Sequence, residues 1–487
     1  MDGCMDLTNK LRDGLLLPDV LQVVLGLGIC VRCCLRFCGI QESYFYACLS
    51  EEKIAEAFYK FANLIEVEPR DAACCTCCVG VLNEAVHEKI LADVQQLADK
   101  SDYDVKSFSL NIKLPSVVLL REYSLLEFLR VKVDNFPHGM PFPLKDSLKF
   151  LLAPSVSRIL KNSECSVKSE FIVLIDIKHD EAADEVRQIP AIQQLAGNRK
   201  RARGPPPVFD GFGSVSRALA VLTEIPESIK CPPTRLRTKP DAVVKLEREP
   251  VYMQGRYLKF QRGLSQTPWI LDGKRIGDSS VEECIGSVAL SFFGGSGYKF
   301  HTAGREDVDV RMLGNGRPFI LEILDAKKAF LNQCDYDQIQ QAVNDANDGA
   351  VEILQVKSST RDYFTGLQTG ADSKKKTYCC VVWSKNNLTK DSIKSIDSIQ
   401  DLTIQQQTPV RVLHRRTLMT RPKVIHAAKC EVLNKHYMLL RLVTSAGTYV
   451  KEFVHGDRGR TNPNVSSLLG CDADIIQLDV ESLIDAP

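Results

Sequence analysis

Two pairs of cysteines with the spacing Cys-x-x-Cys constrain most strongly how the N-terminal part of this chain can fold. They are Cys30 with Cys33 and Cys75 with Cys78, and a helix-like stretch over 51–65 lies between them. Each pair can present two thiolates to one ion, and a tetrahedral zinc site takes four such ligands at about 2.3 Å. We therefore predict a structural Zn²⁺ site, because four protein ligands leave no open coordination position for a reaction.

The register of this site stays open from the sequence alone. Cys34 and Cys38 crowd the first pair, and Cys74 with Cys77 forms an equally good second pair. A redox motif of the thioredoxin type would need one pair at a helix N-terminus after a strand, and two matched pairs argue against it. The remaining alternative is that these cysteines are small buried hydrophobic residues without a metal.

The distribution of the cysteines also indicates a cellular compartment. Ten of the 18 cysteines lie within the first 78 residues. The N-terminus lacks the basic segment of a signal peptide, and no apolar run reaches the ~20 residues that cross a bilayer. We therefore expect an intracellular protein of the nucleus or cytoplasm with no membrane contact, where clustered cysteines are better explained as metal ligands than as disulfides.

Hydrophobic periodicity divides the 487 residues into two parts. In the first part we predict strands over 108–114, 116–120 and 171–177, with helices over 123–131 and 144–152. This is the pattern of a small mixed α/β unit. A segment rich in proline and basic residues begins at Cys231, and we place the boundary there, giving domains 1–230 and 231–487.

The second part is predicted to be richer in strands. The tripeptide Gly314-Asn315-Gly316 stands between strand-like segments over 308–313 and 318–324, and Asn-Gly is the strongest short signal for a β-hairpin. Further strands are predicted over 377–384, 410–414 and 436–444. Strands with interspersed helices, without strict βαβ alternation, indicate an α+β fold with a mixed sheet.

A dense cluster of charges precedes the predicted hairpin. Glu306, Asp307 and Asp309 stand between Arg305 and Arg311. A carboxylate that arginine keeps ionised can act as a nucleophile or a base. Composition alone favours a surface salt-bridge cluster, and a metal site built from the three acids is a further alternative that the arginines weaken.

The charged cluster lies within a longer motif that resembles a known family of enzymes. The run 303–319 resembles the signature of the archaeal and eukaryotic tRNA pseudouridine synthases that modify uridines 54 and 55 of the T arm. The resemblance includes the paired cysteines, the run 264–270 (Leu-Ser-Gln-Thr-Pro-Trp-Ile) and the run 447–461. These strings are long and specific, so that chance similarity is improbable.

The resemblance implies roles for four residues. The family's Gly-Arg-x-Asp element makes Asp307, not Asp309, the catalytic aspartate and nucleophile, and Arg305 would shape the active-site loop. Lys376-Thr377-Tyr378 resembles the Lys-x-Tyr motif, whose tyrosine stacks on the target uracil and is a candidate for a proton transfer. Lys451 stands where related families have the arginine that pairs with the aspartate, which keeps the charge but loses the bidentate fork.

Two of these residues also have ordinary structural explanations. Tyr378 lies in an apolar, strand-like run and could be a core residue, and Lys451 could be a solvated charge on a helix. The alternative function that follows is a non-catalytic protein that binds structured RNA and retains the fold.

The resemblance also implies the architecture and the partners. The C-terminal half would have the pseudouridine synthase fold, a mixed and largely antiparallel sheet. The N-terminal half would be a THUMP-containing α/β accessory domain with a zinc knuckle. The substrate would be the T arm of tRNA, other structured RNA remains open as a partner, and the reaction would need no organic cofactor.

Overall fold

The computed structural model describes residues 3–13, 18–63, 75–133, 136, 141–192, 211–222, 224–370, 375–414 and 416–484. The chain divides into two compact units, Met1–Glu249 and Pro250–Pro487. Each unit has its own hydrophobic core. No helix in the described part of the chain is long and apolar enough to cross a bilayer.

Unit 1 is mostly helical and carries a small sheet. Its strands are β1 Ser107–Lys113, β2 Glu164–Cys165, β3 Phe171–Lys178 and β4 Asp241–Arg248. The order is β2-β1-β3-β4, with β1 parallel to β2 and β3, and β4 antiparallel to β3. The helices with described bounds are Gly3–Asp13, Pro18–Gly26, Val31–Phe37, Ser43–Ala47, Glu51–Ala62, Glu84–Lys100, Val117–Lys132, Leu144–Ile159 and Phe212–Ala220.

The strands predicted over 108–114 and 171–177 and both predicted helices are confirmed, but the strand predicted over 116–120 is wrong. That segment begins the helix Val117–Lys132. The side chains of Val117, Leu120, Arg121 and Ser124 are buried, which is the three-to-four residue spacing of a helix face. The short run of valine and leucine residues over 117–120 suggested a strand. The buried positions continue at helical spacing beyond this run, and the segment therefore forms a helix.

The division between the units falls after β4, later than the boundary expected at residue 231. Strand β4 pairs with β3 along its whole length, from Phe171 with Arg248 to Lys178 with Asp241. These backbone hydrogen bonds join the segment to unit 1. The proline-rich stretch at Cys231 is therefore a loop inside that unit.

Unit 2 is built on one large sheet. Its strands are β5 Val251–Lys259, β6 Trp269–Leu271, β7 Lys274–Ile276, β8 Gly297–Thr302, β9 Arg311–Leu324, β10 Val351–Ser359, β11 Lys375–Ser384, β12 Gln400–Gln407, β13 Thr420–Val432, β14 Tyr437–Thr444, β15 Thr461–Asn462 and β16 Ala473–Ile484. The main sheet has the order β10-β5-β9-β16-β11-β14-β13-β12-β15, with β8 beside β9. All of its pairings are antiparallel except that of β9 with β16, which confirms the expected α+β fold with a mixed, largely antiparallel sheet.

Helices connect and flank these strands. They are Val281–Phe293, Gln333–Ala346, Arg361–Gly370, Lys394–Asp397, Val450–His455 and Val465–Leu469. The strands predicted over 377–384 and 436–444 correspond to β11 and β14 and are confirmed. The segment predicted as a strand over 410–414 is wrong, because Val410–Val412 forms a 3₁₀ turn and a further turn follows it.

The β-hairpin predicted around Gly314-Asn315-Gly316 is also wrong, because the chain continues as the single strand β9. Gly314 and Gly316 both have positive φ values, 64° and 70°, and they form an irregularity at which the β5–β9 register shifts. A Cβ atom on Gly314 would lie 1.7 Å from the carbonyl oxygen of Glu481, and one on Gly316 would lie 2.8 Å from that of Tyr257. The glycines are therefore needed for close backbone approach and not for a reversal.

The buried imidazole of His87 predicts an acid-sensitive unit 1. His87 Nε2 lies 3.0 Å from the carbonyl oxygen of Val81, and burial lowers the pKa of His87 to about 4. As the pH falls, His87 is protonated in the unfolded chain before it is protonated in the folded chain. The contribution of neutral His87 to the stability of unit 1 is therefore present above pH ~6.5 and is lost as the pH falls towards 4. We expect unit 1 to lose about 2 kcal/mol of unfolding free energy between pH 7 and pH 5 through this residue.

Denaturant unfolding of the wild type and of His87→Gln at both pH values measures this contribution. Glutamine retains a donor for the Val81 carbonyl but does not titrate. Equal losses of stability in the two proteins would contradict the assignment.

Candidate active site and cysteine cluster

The four residues expected at the active site line one cavity in unit 2. Its volume is about 540 Å³, and Arg305, Asp307, Tyr378 and Lys451 all contribute to its wall. Asp307 lies in the loop between β8 and β9, Tyr378 in β11, and Lys451 in the helix Val450–His455. The fold thus brings together residues that are up to 146 positions apart in the sequence, from Arg305 to Lys451.

The carboxylate of Asp307 is paired with two cations. Nη1 of Arg411 lies 3.1 Å from Oδ1 and 2.9 Å from Oδ2 of Asp307. Nζ of Lys451 lies 3.4 Å from Oδ2. The Asp307 side chain is still 40% exposed, so that its carboxylate is open to the cavity between the two cations.

Lys451 makes its shorter contacts with a different carboxylate. Its Nζ lies 2.8 Å and 2.7 Å from the two carboxylate oxygens of Asp309. Partial burial by itself would raise the pKa of Asp309, but the hydrogen bond and charge of Lys451 outweigh it and lower that pKa. The expected pairing of Lys451 with Asp307 is therefore present, but at 3.4 Å it is longer than the pairing of Lys451 with Asp309 at 2.7 Å.

Arg411 is the residue that sequence reasoning missed. Its Nε donates a hydrogen bond of 2.7 Å to Glu452, and its guanidinium lies 5.9 Å from the ring centre of Tyr449. The sequence held one usable signal, since Arg411 begins a basic stretch that continues through His414 to Arg416. The same basic stretch is equally consistent with a solvent-exposed strand. In the structure Arg411 lies in a 3₁₀ turn, and this turn directs its side chain towards Asp307.

The acid next to Asp307 has a structural role. Glu306 is buried, accepts a hydrogen bond from the hydroxyl of Tyr257 at 2.8 Å, and pairs with Nε of Arg317 at 2.9 Å. Gln266 Nε2 donates to the Tyr257 hydroxyl at 2.7 Å and to the carbonyl of Gly304 at 3.1 Å. The Glu306 carboxylate is thus engaged by Tyr257 and Arg317, and in the described part of the chain the three acids do not form a cluster of metal-ligand side chains, which argues against a metal site made from all three.

A buried lysine fixes the backbone of the same loop. Nζ of Lys259 donates to the carbonyl oxygens of Leu264, Asp307 and Val308 at 2.8, 3.1 and 3.2 Å. Burial lowers the pKa of Lys259 to about 8, so that the ammonium is still mostly protonated at neutral pH. Lys259 thus fixes the loop that carries Asp307 through the backbone carbonyl groups of that loop.

Tyr378 is both a cavity residue and a residue that packs against the core, the two alternatives that the sequence left open. It lines the cavity, and it also packs against the hydrophobic core of unit 2. Burial raises the pKa of Tyr378 to about 12. At neutral pH the phenol is therefore uncharged, and its ring is held by the core on one side.

In unit 1 the paired cysteines converge. The Sγ atoms of Cys30, Cys33, Cys75 and Cys78 all lie within 4.8 Å of one another, and the side chains are buried. Cys30 Sγ is 3.9 Å from Cys78 Sγ, and a tetrahedron with metal–sulfur bonds of about 2.3 Å has edges of about 3.8 Å. The backbone N–H of Cys30 donates to Cys75 Sγ at 3.3 Å, a bond that stabilises a thiolate ligand.

This group is the one set of clustered metal-ligand side chains in the described residues. Of the alternative ligands, Cys34 and Cys77 are buried and Cys38 is partly buried, outside this group. Cys74 lies outside the described residues. The donor set and its spacing therefore fit a divalent metal that prefers thiolates.

Comparison with known proteins identifies the family. The family models described as "Eukaryotic Pus10, N-terminal" and "Pus10, C-terminal" match residues 75–244 and 252–485. The tRNA pseudouridine synthase Pus10 of Xenopus laevis is 34% identical over 509 residues, covering 96% of this chain and 97% of that protein. This chain belongs to the Pus10 family of tRNA pseudouridine synthases.

Further Pus10 proteins match to different extents. The human tRNA pseudouridine synthase Pus10 is 32% identical over 523 residues, again covering 96% of this chain and 97% of that protein. The Pus10 of Pyrococcus furiosus is 37% identical over 262 residues, covering 52% of this chain and 64% of that protein. Among solved structures, a chain in a Cbf5-Nop10-Gar1 complex is 15% identical with a TM-score of 0.28, covering 47% of this chain and 48% of that chain.

The two Pus10 family models fall into different units. The N-terminal model lies within Met1–Glu249, and the C-terminal model lies within Pro250–Pro487. The cavity around Asp307 therefore belongs wholly to the part matched by the Pus10 C-terminal model, and Cys75 and Cys78 stand at the start of the part matched by the N-terminal model.

Proposed function

We propose that the cavity around Asp307 isomerises uridine to pseudouridine in the T arm of tRNA, at position 54, position 55 or both. The observation that supports this best is the carboxylate of Asp307, paired with two cations and open to the cavity that Tyr378 also lines. Membership in the Pus10 family supplies the reaction class. The T arm as the target follows from the sequence resemblance.

Asp307 would supply the reactive carboxylate. The reaction breaks the N1–C1′ bond, turns the uracil and joins C5 to C1′, after which the C5 proton is lost and N1 gains a proton. Atoms and electrons balance without a redox partner, so that no organic cofactor is needed. Asp307 either adds to C1′ as a nucleophile or accepts the 2′ proton of the ribose, and both routes need its ionised form.

Tyr378 would hold the uracil after it leaves the RNA stack. Extruding a base costs a few kcal/mol, and stacking on an aromatic ring returns about 1–3 kcal/mol per base. The uncharged phenol keeps its hydroxyl available for a later proton transfer. Lys376 and Arg416 line the same cavity and would contact RNA phosphates, while Arg305, which also lines it, would shape the active-site loop.

The non-catalytic alternative has little support. A protein that only docks on RNA has no need for an aspartate, a tyrosine and a lysine in one cavity, and it would be free to lose any of them. Asp307, Tyr378 and Lys451 are all present and all line that cavity.

For unit 1 we propose an RNA-binding accessory domain of the THUMP-containing type, with one structural Zn²⁺ held by Cys30, Cys33, Cys75 and Cys78. The parallel pairing of β1 with β3 and the helices around the sheet agree with an α/β unit of this kind. When bound, the metal would join the segment at Cys30 to the segment at Cys75. As an enzyme that acts on tRNA, the protein would work in the nucleus or cytoplasm.

Base-resolved pseudouridine mapping on an unmodified tRNA transcript tests the proposed target. We expect a new signal in the T arm after incubation with the purified protein, since the tRNA transcript carries both candidate uridines. Transcripts with uridine 54 or uridine 55 replaced by cytidine serve as matched controls and assign the signal to one position or to both. A signal confined to another arm would refute the T-arm proposal while leaving the reaction class intact.

A further inference from the structure

The two cations beside Asp307 are not equivalent. Arg411 contacts both carboxylate oxygens of Asp307 within 3.1 Å, whereas Lys451 reaches one of them at 3.4 Å. Lys451 is held by Asp309 at 2.7 Å. The family pattern assigns the pairing with Lys451 to Asp307, but the shorter contact of Lys451 is with Asp309.

Arg411 is itself fixed by a buried acid. The Glu452 side chain is only 2% exposed, and its two carboxylate oxygens lie 2.7 Å from Nε and 3.5 Å from Nη2 of Arg411. These contacts occupy one edge of the guanidinium. The planar fork then directs Nη1 towards Asp307.

The backbone that carries Arg411 is also anchored. The N–H of Val410 donates to Asp457 at 3.1 Å, and Arg460 donates to the carbonyl of Thr408 at 3.0 and 3.2 Å. Arg411 therefore approaches Asp307 from a fixed 3₁₀ turn, in a geometry set before any substrate arrives.

We propose that Arg411, held by Glu452, is the positioning residue for Asp307, and that Asp309 competes with Asp307 for Lys451. The inference rests on the proposed role of Asp307 as the catalytic carboxylate. It predicts that loss of the Arg411 side chain lowers the rate of pseudouridine formation more than loss of the Lys451 side chain does, although the family pattern assigns the pairing with the aspartate to Lys451. It also predicts that removing the charge of Asp309 makes Lys451 available to Asp307.

The first experiment compares Arg411→Met with Lys451→Met in single-turnover pseudouridine formation on a tRNA transcript. Both changes leave an uncharged, flexible side chain of similar reach. We expect the rate at saturating enzyme to fall roughly 10- to 30-fold for Arg411→Met, the lower part of the range for a charged hydrogen bond because Arg411 is 39% exposed. The loss for Lys451→Met should be smaller, and the dissociation constant for tRNA should change little in Arg411→Met.

The second experiment adds Asp309→Asn to Arg411→Met. If Lys451 is released, it can move onto Asp307, and the single-turnover rate should recover roughly two- to fivefold relative to Arg411→Met alone. A loss caused by misfolding would not be reversed by a second substitution at Asp309. Circular dichroism melting of each variant accompanies the rates.

The outcomes separate the possible roles. Weaker tRNA binding with an unchanged saturating rate in Arg411→Met would make Arg411 a phosphate contact and overturn the inference. A greater loss in Lys451→Met, or no recovery in the double variant, would also overturn it. A wild-type protein that forms no pseudouridine would overturn the proposed function and this inference together, whereas an active wild type with an unaffected Arg411→Met variant would overturn the inference alone.

Discussion

Replacement of Asp307 by asparagine is expected to abolish pseudouridine formation, with a loss of at least about a thousandfold. Asparagine has nearly the same shape, but its amide can neither add to C1′ nor accept the 2′ proton. The surrounding cations would remain, so that tRNA should still bind. Base-resolved mapping and a tRNA binding assay with the same preparation measure the two effects separately.

A matched control for this variant is Asp345→Asn. Asp345 is exposed on the helix Gln333–Ala346 and accepts a hydrogen bond from Gln341 at 2.8 Å. It does not line the cavity, and the chemical change is identical. Full activity in Asp307→Asn would disprove the assigned role of Asp307, while loss of activity in both variants would point to a general effect of the substitution.

Loss of the metal is expected to unfold unit 1. Apparent binding free energies of structural Zn²⁺ reach about 10–16 kcal/mol in zinc-finger peptides, which is comparable to the whole unfolding free energy of a domain, about 5–15 kcal/mol. The purified protein should contain one equivalent of zinc by elemental analysis. The double variant Cys30→Ser/Cys75→Ser should lose the metal and the cooperative unfolding transition of unit 1, because it removes one ligand from each pair.

Two further variants sharpen the zinc test. Cys165→Ser alters an exposed cysteine of the same unit and should retain the metal. Cys34→Ser, next to the first pair, tests the register, since Cys34 is buried but lies outside the group of four. Zinc retained in the double variant, or no metal in the wild-type protein, would refute the site.

The sequence predicted the fold class and the residues that share the cavity in unit 2 better than it predicted the local turns. The α+β architecture and strands such as β3 and β11 follow from hydrophobic periodicity, which is a property of the segment itself. Gly314 and Gly316 were misread because glycine permits both a reversal and a close backbone approach. The close approach of Glu481 to Gly314 and of Tyr257 to Gly316 decides between the two, and both of these residues are distant in the sequence.

Some residues of the candidate site could likewise be predicted from local sequence, and others depend on contacts that are distant in the sequence. The motifs around Asp307, Tyr378 and Lys451 could be recognised from the sequence, and these residues share one cavity in the structure. Arg411 could not be recognised, because its role depends on Glu452 and on a 3₁₀ turn that no local pattern indicated. The partition of Lys451 between Asp307 and Asp309 depends on distances that differ by less than 1 Å.

The parallel pairing of β9 with β16 has a consequence for the order in which unit 2 assembles. Strand β16 lies between β9 and β11, and Arg311, which follows the loop that carries Asp307, donates a hydrogen bond to Asp479, 168 residues later. Until β16 has been synthesised, β11 exposes one unpaired backbone edge, and Arg311 and Met312 of β9 lack their partners. The ribosome must therefore deliver nearly all of unit 2 before the loop that carries Asp307 gains its later partners Arg411, Lys451 and Asp479, although Lys259 can hold its backbone earlier. Contacts of such long sequence separation slow folding and leave a partly folded unit 2 prone to aggregation.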